Sequence, residues 1–186
     1  MKKQNWSAIY ILSLFVLGFG LVLWTIFKAV NLPVQLDKTF FDTKKGIDDK
    51  FNDMAESNKV FLNKYDIKFV YNNTNESTLD MSDLFLSQTV IQQRGESKNF
   101  LNIGENILEV YILDKNTNTI PENVDIHAMV TIASNNTNDI DLTSFEVVDN
   151  KFTKTFTVPR EANWNVNGIV TVGDDKGYFF IKTNAK

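Results

Sequence analysis

The sequence contains no cysteine and only one histidine, His127. Without cysteine the chain has no disulfide, no thiolate chemistry, no cysteine-ligated metal and no lipid anchor attached through cysteine. Nucleophilic catalysis needs a nucleophile and a base within reach of each other, and a lone histidine inside a predicted strand is rarely a base. No glycine-rich phosphate-binding loop is present either. We therefore predict that the protein is not an enzyme and binds no cofactor or small-molecule substrate.

Basic residues are too few and too dispersed to indicate a polyanion as partner. The chain has 19 Lys and Arg against 23 Asp and Glu, and its formal net charge is −4. Binding to the phosphate backbone needs clustered Lys and Arg. The composition thus argues against nucleic acid as a partner.

Residues 6–27 contain no charged residue and no proline, and they are apolar on all sides. A helix of this length rises roughly 33 Å at about 1.5 Å per residue, which is enough to cross a lipid bilayer. Lys2 and Lys3 precede it as in a signal peptide, but the apolar part of a signal peptide is only about 7–15 residues long. We predict an uncleaved membrane anchor over residues 1–28.

The lysine-bearing N-terminus usually stays in the cytoplasm and sends the following domain outward. Further lysines follow the helix and make simple charge counting ambiguous: Lys28, Lys38, Lys44 and Lys45. Long domains, however, translocate largely regardless of charge. We predict a single-pass protein of the cell inner membrane with its soluble part in the periplasm. Ser13 and Gly20 lie on one face of the anchor and are candidates for close contact with a partner helix.

Beyond the anchor, apolar residues recur with helical spacing. Phe40, Ile47, Met54 and Phe61 follow one another every seven residues, with polar residues on the other faces. This pattern predicts an amphipathic helix that starts near Phe40, within a juxtamembrane segment of residues 29–65. Its apolar stripe would pack either on the chain's own β domain or on a helix of another subunit.

From Asp66 onward the apolar residues alternate with polar ones. We predict an antiparallel, immunoglobulin-like β-sandwich over residues 66–186, which makes the fold class α+β. Residues 72–83 and the Asn-rich stretch through Asp141 are predicted loops, and Asp149-Asn150 is a predicted tight turn. The predicted strands are residues 67–71, 84–94, 107–113, 124–133, 145–148, 152–158, 164–172 and 177–182. For residues 84–94 the alternative is a short helix capped by Ser82, and Phe85, Thr89, Val90 and Ile91 favour the strand.

Two residues of the strand over residues 124–133 are candidate metal ligands. His127 and Met129 are two positions apart and therefore share one face of the strand. Imidazole and thioether groups suit Cu(I), although no third ligand is evident. Alternatively, Met129 fills the hydrophobic core.

The best candidate for a binding site is the segment between the anchor and the amphipathic helix. Adjacent residues on a helix point about 100° apart, so Phe40 and Phe41 cannot both join one narrow stripe. Phe40 belongs to the apolar stripe, which leaves Phe41 to contact lipid or a partner protein. We assign partner binding to Pro33, Asp37, Phe40, Phe41 and Asp42.

The order of these parts resembles the FixH family. In that family an aromatic pair in an acidic "P-x-x-L…YY" segment follows the membrane helix, and here residues 33–42 read PVQLDKTFFD, with phenylalanine in place of tyrosine. Residues 101–106 (LNIGEN) and 164–166 (WNV) are also similar to the β domain of that family.

The resemblance implies a single-pass inner-membrane protein that assists the assembly or maturation of a cbb3-type cytochrome c oxidase. It would act through contacts with membrane protein subunits of the oxidase or with its assembly factors, in the neighbourhood of a copper-transporting ATPase. The alternative function is a periplasmic copper-handling module that delivers or buffers Cu(I) through His127 and Met129.

Overall fold

A computed structural model of the protein describes residues 6–31, 38–86, 98–132 and 135–186. The chain divides into two compact units, Met1–Gln35 and Leu36–Lys186. Within the described residues the elements are, in chain order, α1 Trp6–Asn31, β1 Lys38–Thr39, β2 Asp42–Thr43, α2 Lys44–Lys64, β3 Tyr65–Tyr71, β4 Asn75–Thr78, α3 Met81–Leu86, β5 Lys98–Leu101, β6 Gly104–Asp114, β7 Val124–Ile132, β8 Asn135–Leu142, β9 Glu146–Val148, β10 Lys151–Val158, β11 Ala162–Val172 and β12 Asp175–Ala185.

The first unit contains helix α1, whose large apolar side chains are exposed. The helix is long and apolar enough to cross a bilayer, a property that signal sequences share. The hydroxyls of Ser13 and Thr25 donate hydrogen bonds of 2.8 Å to the carbonyls of Tyr10 and Leu21 in the same helix. These polar groups are thus satisfied within the helix, as a hydrocarbon environment requires.

The second unit contains two five-stranded sheets. Sheet I has the strand order β4–β3–β6–β10–β9 and is antiparallel throughout. Sheet II has the order β5–β12–β11–β7–β8 and is antiparallel except for the parallel pair of β5 and β12. The predicted α+β class and the mostly antiparallel sandwich are therefore confirmed.

The inner faces of the two sheets form one hydrophobic core. Trp164 of β11 and the rings of Phe69 and Phe179 are fully buried there, and the last two rings lie 4.5 Å apart between centroids. The indole nitrogen of Trp164 donates to the carbonyl of Arg160 at 3.2 Å, so this polar atom does not oppose the burial of the ring.

Helix α2 packs on the chain's own sandwich, which decides between the two packing alternatives for its stripe. Phe61 is fully buried in the core, and a Cβ at Gly177 would lie 2.7 Å from its ring. Asn58, in the same stripe, is also fully buried. Its side chain accepts from the amide nitrogen of Tyr178 at 2.6 Å and donates to the carbonyl of Tyr178 at 2.8 Å. A helix side chain thereby satisfies backbone groups of β12.

The predicted start of the amphipathic helix is wrong. Helix α2 begins at Lys44, and Phe40 and Phe41 lie before it in the turn between β1 and β2. Their φ angles are 50° and 64°, which no right-handed helix accommodates. Met54 and Phe61 do belong to α2, but Phe40 joins Met54 in a small apolar cluster from outside the helix, while Phe61 lies in the main core.

The predicted strand over residues 84–94 is also wrong where it can be compared. Leu84 lies in helix α3, and the carboxylate of Asp80 accepts from the backbone nitrogen of Ser82 at 2.7 Å, as a helix N-cap does. Residues 87–94 lie outside the described residues. Strands β4 and β8 occur where we predicted loops. Both lie at sheet edges and are rich in polar residues, so their sequences lack the alternation that identifies a strand.

Candidate functional site

The two phenylalanines that the sequence singles out form the turn of a short hairpin, residues 38–43, which we call the aromatic hairpin. Two-residue hairpin turns with positive φ at both central positions normally use Asn-Gly or Asp-Gly. A bulky residue in this conformation costs about 1–2 kcal/mol relative to its ordinary backbone geometry. Such a turn persists only where surrounding contacts hold it in place.

Phe40 is held by the outer face of sheet II. Its side chain is 4% exposed, and its amide nitrogen donates to the side-chain oxygen of Asn167 at 3.0 Å. Its ring packs edge-on against Tyr178 and Phe180 at centroid distances of 5.6 and 6.3 Å. Burial also raises the pKa of the Tyr178 hydroxyl, while the nearby Lys50 ammonium acts in the opposite direction. The packing role predicted for Phe40 is confirmed.

Phe41 lies against the only histidine of the chain. The rings of Phe41 and His127 are stacked, with centroids 3.6 Å apart and planes inclined by 20°. The Nε2 atom of His127 is 2.6 Å from Oδ1 of Asp141 on the neighbouring strand β8. Phe41 is half-buried, and the side chains of His127 and Asp141 are 36% and 65% exposed. As expected, the rings of Phe40 and Phe41 lie in different places. The ring of Phe41, however, contacts His127 of its own domain.

Asn167 is a functional candidate that the sequence analysis missed. It is fully buried in the middle of β11, and its side-chain oxygen accepts from the aromatic hairpin. Its side-chain nitrogen has no hydrogen-bond partner among the described residues. A buried unpaired donor costs about 1–3 kcal/mol. The signal for this site is the alternation of Asn163, Asn165 and Asn167, which predicts a polar outer face on a strand whose inner face is apolar.

The two motifs that resemble the FixH β domain have structural roles. In the stretch LNIGEN the side chain of Asn106 is 1% exposed and closes a turn. It accepts from the amide of Asn102 at 2.8 Å and donates to the carbonyls of Asn102 and Gly104 at 2.8 and 2.9 Å. Gly104 has a φ of 98°, which suits glycine alone. The second motif places Trp164 in the core.

Of the other three residues of the predicted binding site, the structure describes only Asp42. Pro33 and Asp37 lie outside the described residues. Asp42 lies in β2, where it pairs with Thr39. Ser13 and Gly20 lie on α1, and their contact with a partner helix stays a prediction.

The candidate copper ligands lie on the outer face of β7 but in different environments. Met129 is 6% exposed and lies between Asn167 and Asp141 in the strand register. His127 is engaged by Phe41 and Asp141. In the part of the chain that the structure describes, no group of three or more His, Asp or Glu side chains could hold a metal ion. Copper binding stays a prediction.

Fold and site together define an α+β protein with an apolar N-terminal helix, a two-sheet antiparallel sandwich and a strained aromatic hairpin on one sheet. No protein-family model matches this sequence, and no curated protein matches it.

Proposed function

We propose that the protein is a single-pass inner-membrane protein whose immunoglobulin-like sandwich lies in the periplasm. There it binds subunits of a cbb3-type cytochrome c oxidase, or assembly factors of that oxidase, and assists assembly or maturation. The observation that carries this proposal is the aromatic hairpin, which follows α1 closely in the sequence and holds two phenylalanines in a costly backbone conformation.

The hairpin geometry supports a binding role because packing alone accounts for only one of its rings. Asn-Gly would form the same turn without strain. The burial of Phe40 among aromatic rings offsets the energetic cost of its backbone conformation. Phe41 stays half-buried, so part of its ring remains available to a partner. Backbone strain of this kind concentrates at functional sites.

The surroundings of Phe41 have the character of an interface. The Phe41 ring stacks on His127, and His127 lies beside the exposed carboxylate of Asp141. Interfaces commonly combine an aromatic anchor with a polar, hydrated rim. A partner could cover the outer part of the Phe41 ring and hydrogen-bond to the carboxylate of Asp141, whose side chain is 65% exposed. Contact with membrane protein subunits of the oxidase or with its assembly factors is what the FixH resemblance implies.

The location of the sandwich is tested by fusions at Lys186. Alkaline phosphatase is active only outside the cytoplasm, and we expect an active phosphatase fusion and a non-fluorescent fluorescent-protein fusion. The opposite pair of results overturns the periplasmic location. A mature chain that lacks α1 overturns the anchor.

The binding role is tested by purification of the tagged full chain in mild detergent from a strain that makes the oxidase. We expect oxidase subunits or assembly factors to accompany the wild-type chain. Phe41→Ala should keep the protein level but reduce partner recovery and oxidase activity. Phe85→Ala is the matched control, because Phe85 is 41% exposed in α3 and contacts only Phe51 among the aromatic rings of the described residues.

Three results contradict the proposal. Full partner recovery and oxidase activity with Phe41→Ala discard the docking role of this ring. An equal loss with Phe85→Ala attributes the effect to surface hydrophobicity in general. Normal oxidase activity in a strain that lacks the protein discards the assembly function.

A further inference from the structure

Strand β9 forms one edge of sheet I. Its residue Val147 continues a row of core residues but is itself exposed. On the inner face of the sheet, Phe69, Val110, Phe152 and Val147 are cross-strand neighbours in this order. Their exposed fractions are 0%, 0%, 8% and 65%. The row starts in the core and stops at an apolar side chain in solvent.

Among the described residues no strand pairs with β9 on the side away from β10. Strand β9 is the last strand of its sheet, and all three of its residues are exposed, with Val148 at 44%. Such an edge presents unpaired backbone donors and acceptors to which an extended segment of another chain can add as a further strand. An apolar residue of that strand opposite Val147 would continue the interrupted row.

Strand β9 lies in an acidic stretch of the sequence, and two acidic residues, Glu146 and Asp149, lie in β9 and directly after it. Neither Lys nor Arg occurs between Lys115 and Lys151. Six of the 23 acidic residues lie in this stretch, which leaves 17 against all 19 basic residues of the chain. The entire negative excess of the protein is therefore concentrated there. The acidic residues are Glu122, Asp125, Asp139, Asp141, Glu146 and Asp149.

The nearest lysines do not neutralise this edge. Lys151, which pairs with Val148 across the strands, has its ammonium 2.5 Å from the buried carboxylate of Glu109. Lys154 donates to the carbonyl of Ser144 at 3.5 Å. Glu146 and Asp149 thus flank the two valines without a basic partner among the contacts of the described residues.

This charge pattern selects a basic partner and disfavours a second copy. Two β9 strands that paired with each other would bring their acidic residues together, and like charges across a strand pair are destabilising. Complementary charge, by contrast, guides and stabilises association. We propose that β9 binds an extended basic segment of a partner protein, which adds to sheet I as a strand and places an apolar side chain on Val147.

The proposal concerns a different surface from the aromatic hairpin and does not depend on the identity of the oxidase. It is tested on the full chain in a non-ionic detergent with a synthetic peptide of four Lys-Val repeats. We expect binding that weakens as salt is added, together with slowed hydrogen exchange of the β9 amides that point away from β10. A peptide of four Glu-Val repeats should not bind.

Two matched variants connect binding to β9. Val147→Lys places a positive charge on the edge and removes the apolar contact, so we expect at least a tenfold loss of affinity for the Lys-Val peptide. Val60→Lys changes an exposed valine on α2, which is 38% exposed, and should leave the affinity unchanged. Both positions are exposed, so the thermal midpoint should stay that of the wild-type chain.

Four results overturn the proposal. The first is equal affinity of the wild-type chain and Val147→Lys for the Lys-Val peptide. The second is binding without slowed exchange in β9, which would make the attraction merely electrostatic. The third is equal binding of the Glu-Val peptide. The fourth is self-association of the chain that Val147→Lys abolishes, which would make a second copy the occupant.

Discussion

The outer faces of the two sheets meet their surroundings in opposite ways. On sheet II, Phe180 of β12 lies beneath added elements and forms a small apolar cluster with Phe40, Met54 and Leu84. These three residues come from the aromatic hairpin, α2 and α3. Because this part of the face is apolar, it needs a cover to keep it from water.

The outer face of sheet I, which we call the open face, carries charged side chains that pair with one another. Lys68 lies 2.6 Å from Glu76 and 5.8 Å from the ring centroid of Tyr111. Lys151 is bonded to Glu109, whose other oxygen accepts from the hydroxyl of Tyr111 at 3.3 Å. Opposite charges across neighbouring strands stabilise a sheet that faces water. The aromatic hairpin and the helices thus cover part of the outer face of sheet II, whereas ion pairs and hydrogen bonds stabilise the outer face of sheet I.

The largest expected effect belongs to the core that both sheets share. Trp164→Ala removes a fully buried ring and should lower the free energy of unfolding by about 3–5 kcal/mol. Urea denaturation of the full chain in detergent, followed by circular dichroism, measures it. Val147→Ala is the control at an exposed position and should cost much less. An unchanged midpoint for Trp164→Ala would contradict the burial of the ring.

The next effect compares the covered face with the open one. Phe40→Ala removes a ring buried under the cover of sheet II and should cost about 3 kcal/mol, at the low end for buried phenylalanine. Tyr111→Ala removes a ring of similar size from the open face of sheet I and should cost clearly less. The same denaturation experiment measures both. If Tyr111→Ala costs as much as Phe40→Ala, the two faces do not differ in the way described.

The sequence predicts the parts of this fold whose patterns are local. Strands β11 and β12 alternate between apolar and polar residues, and their predicted spans lie within the observed ones. The apolar stripe of α2 identifies a helix for the same reason. Strand β8 escaped prediction because an edge strand rich in asparagine buries too little to need apolar alternation.

The candidate site was predictable only in part. Phe40 and Phe41 stand out in the sequence as an aromatic pair shortly after the apolar helix, but their turn geometry contradicts the preferences of phenylalanine. The partner of the Phe40 amide is Asn167, which lies 127 residues further along the chain. Likewise, His127 looks like an isolated histidine until the fold brings Phe41 and Asp141 to it. Contacts of this range leave no local pattern.

A smaller effect should appear in the pH dependence of stability on the open face. The hydrogen bond to Glu109 raises the pKa of Lys151, so the folded chain holds this proton more tightly than the unfolded chain. The resulting stabilisation is present below the unfolded pKa of about 10.4 and is lost as the pH rises through the folded pKa. Denaturation midpoints measured between about pH 8 and pH 11 should therefore fall, and Lys151→Met should flatten the decline.

Two controls accompany this experiment. Lys59→Met removes a lysine that is 64% exposed and lies 3.7 Å from Glu56, and it should leave the alkaline decline as in the wild-type chain. The hydrogen bond to Asp175 also raises the pKa of Lys64, so part of the decline should remain in Lys151→Met. A decline unchanged by Lys151→Met would show that the open face does not depend on this ion pair.

The smallest expected effect separates the backbone strain of the aromatic hairpin from the contacts of its ring. Phe41→Gly and Phe41→Ala both remove the stack on His127, but only alanine keeps a Cβ at a φ of 64°. Glycine adopts this conformation freely, although it also gains entropy in the unfolded chain. We therefore expect Phe41→Gly to be more stable than Phe41→Ala by about 0.5–1 kcal/mol.

The paired comparison is informative because the lost ring contacts cancel between the two variants. The difference in urea midpoint then reports two opposing contributions at position 41. One is the backbone strain, and the other is the flexibility that glycine adds to the unfolded chain. The same exchange at Val60, in the middle of helix α2, is the control and should reverse the sign, since glycine destabilises a helix by about 1 kcal/mol relative to alanine. If Phe41→Ala proves the more stable variant, the turn is not strained at Phe41. The strongest support for this ring as a binding element would then be lost.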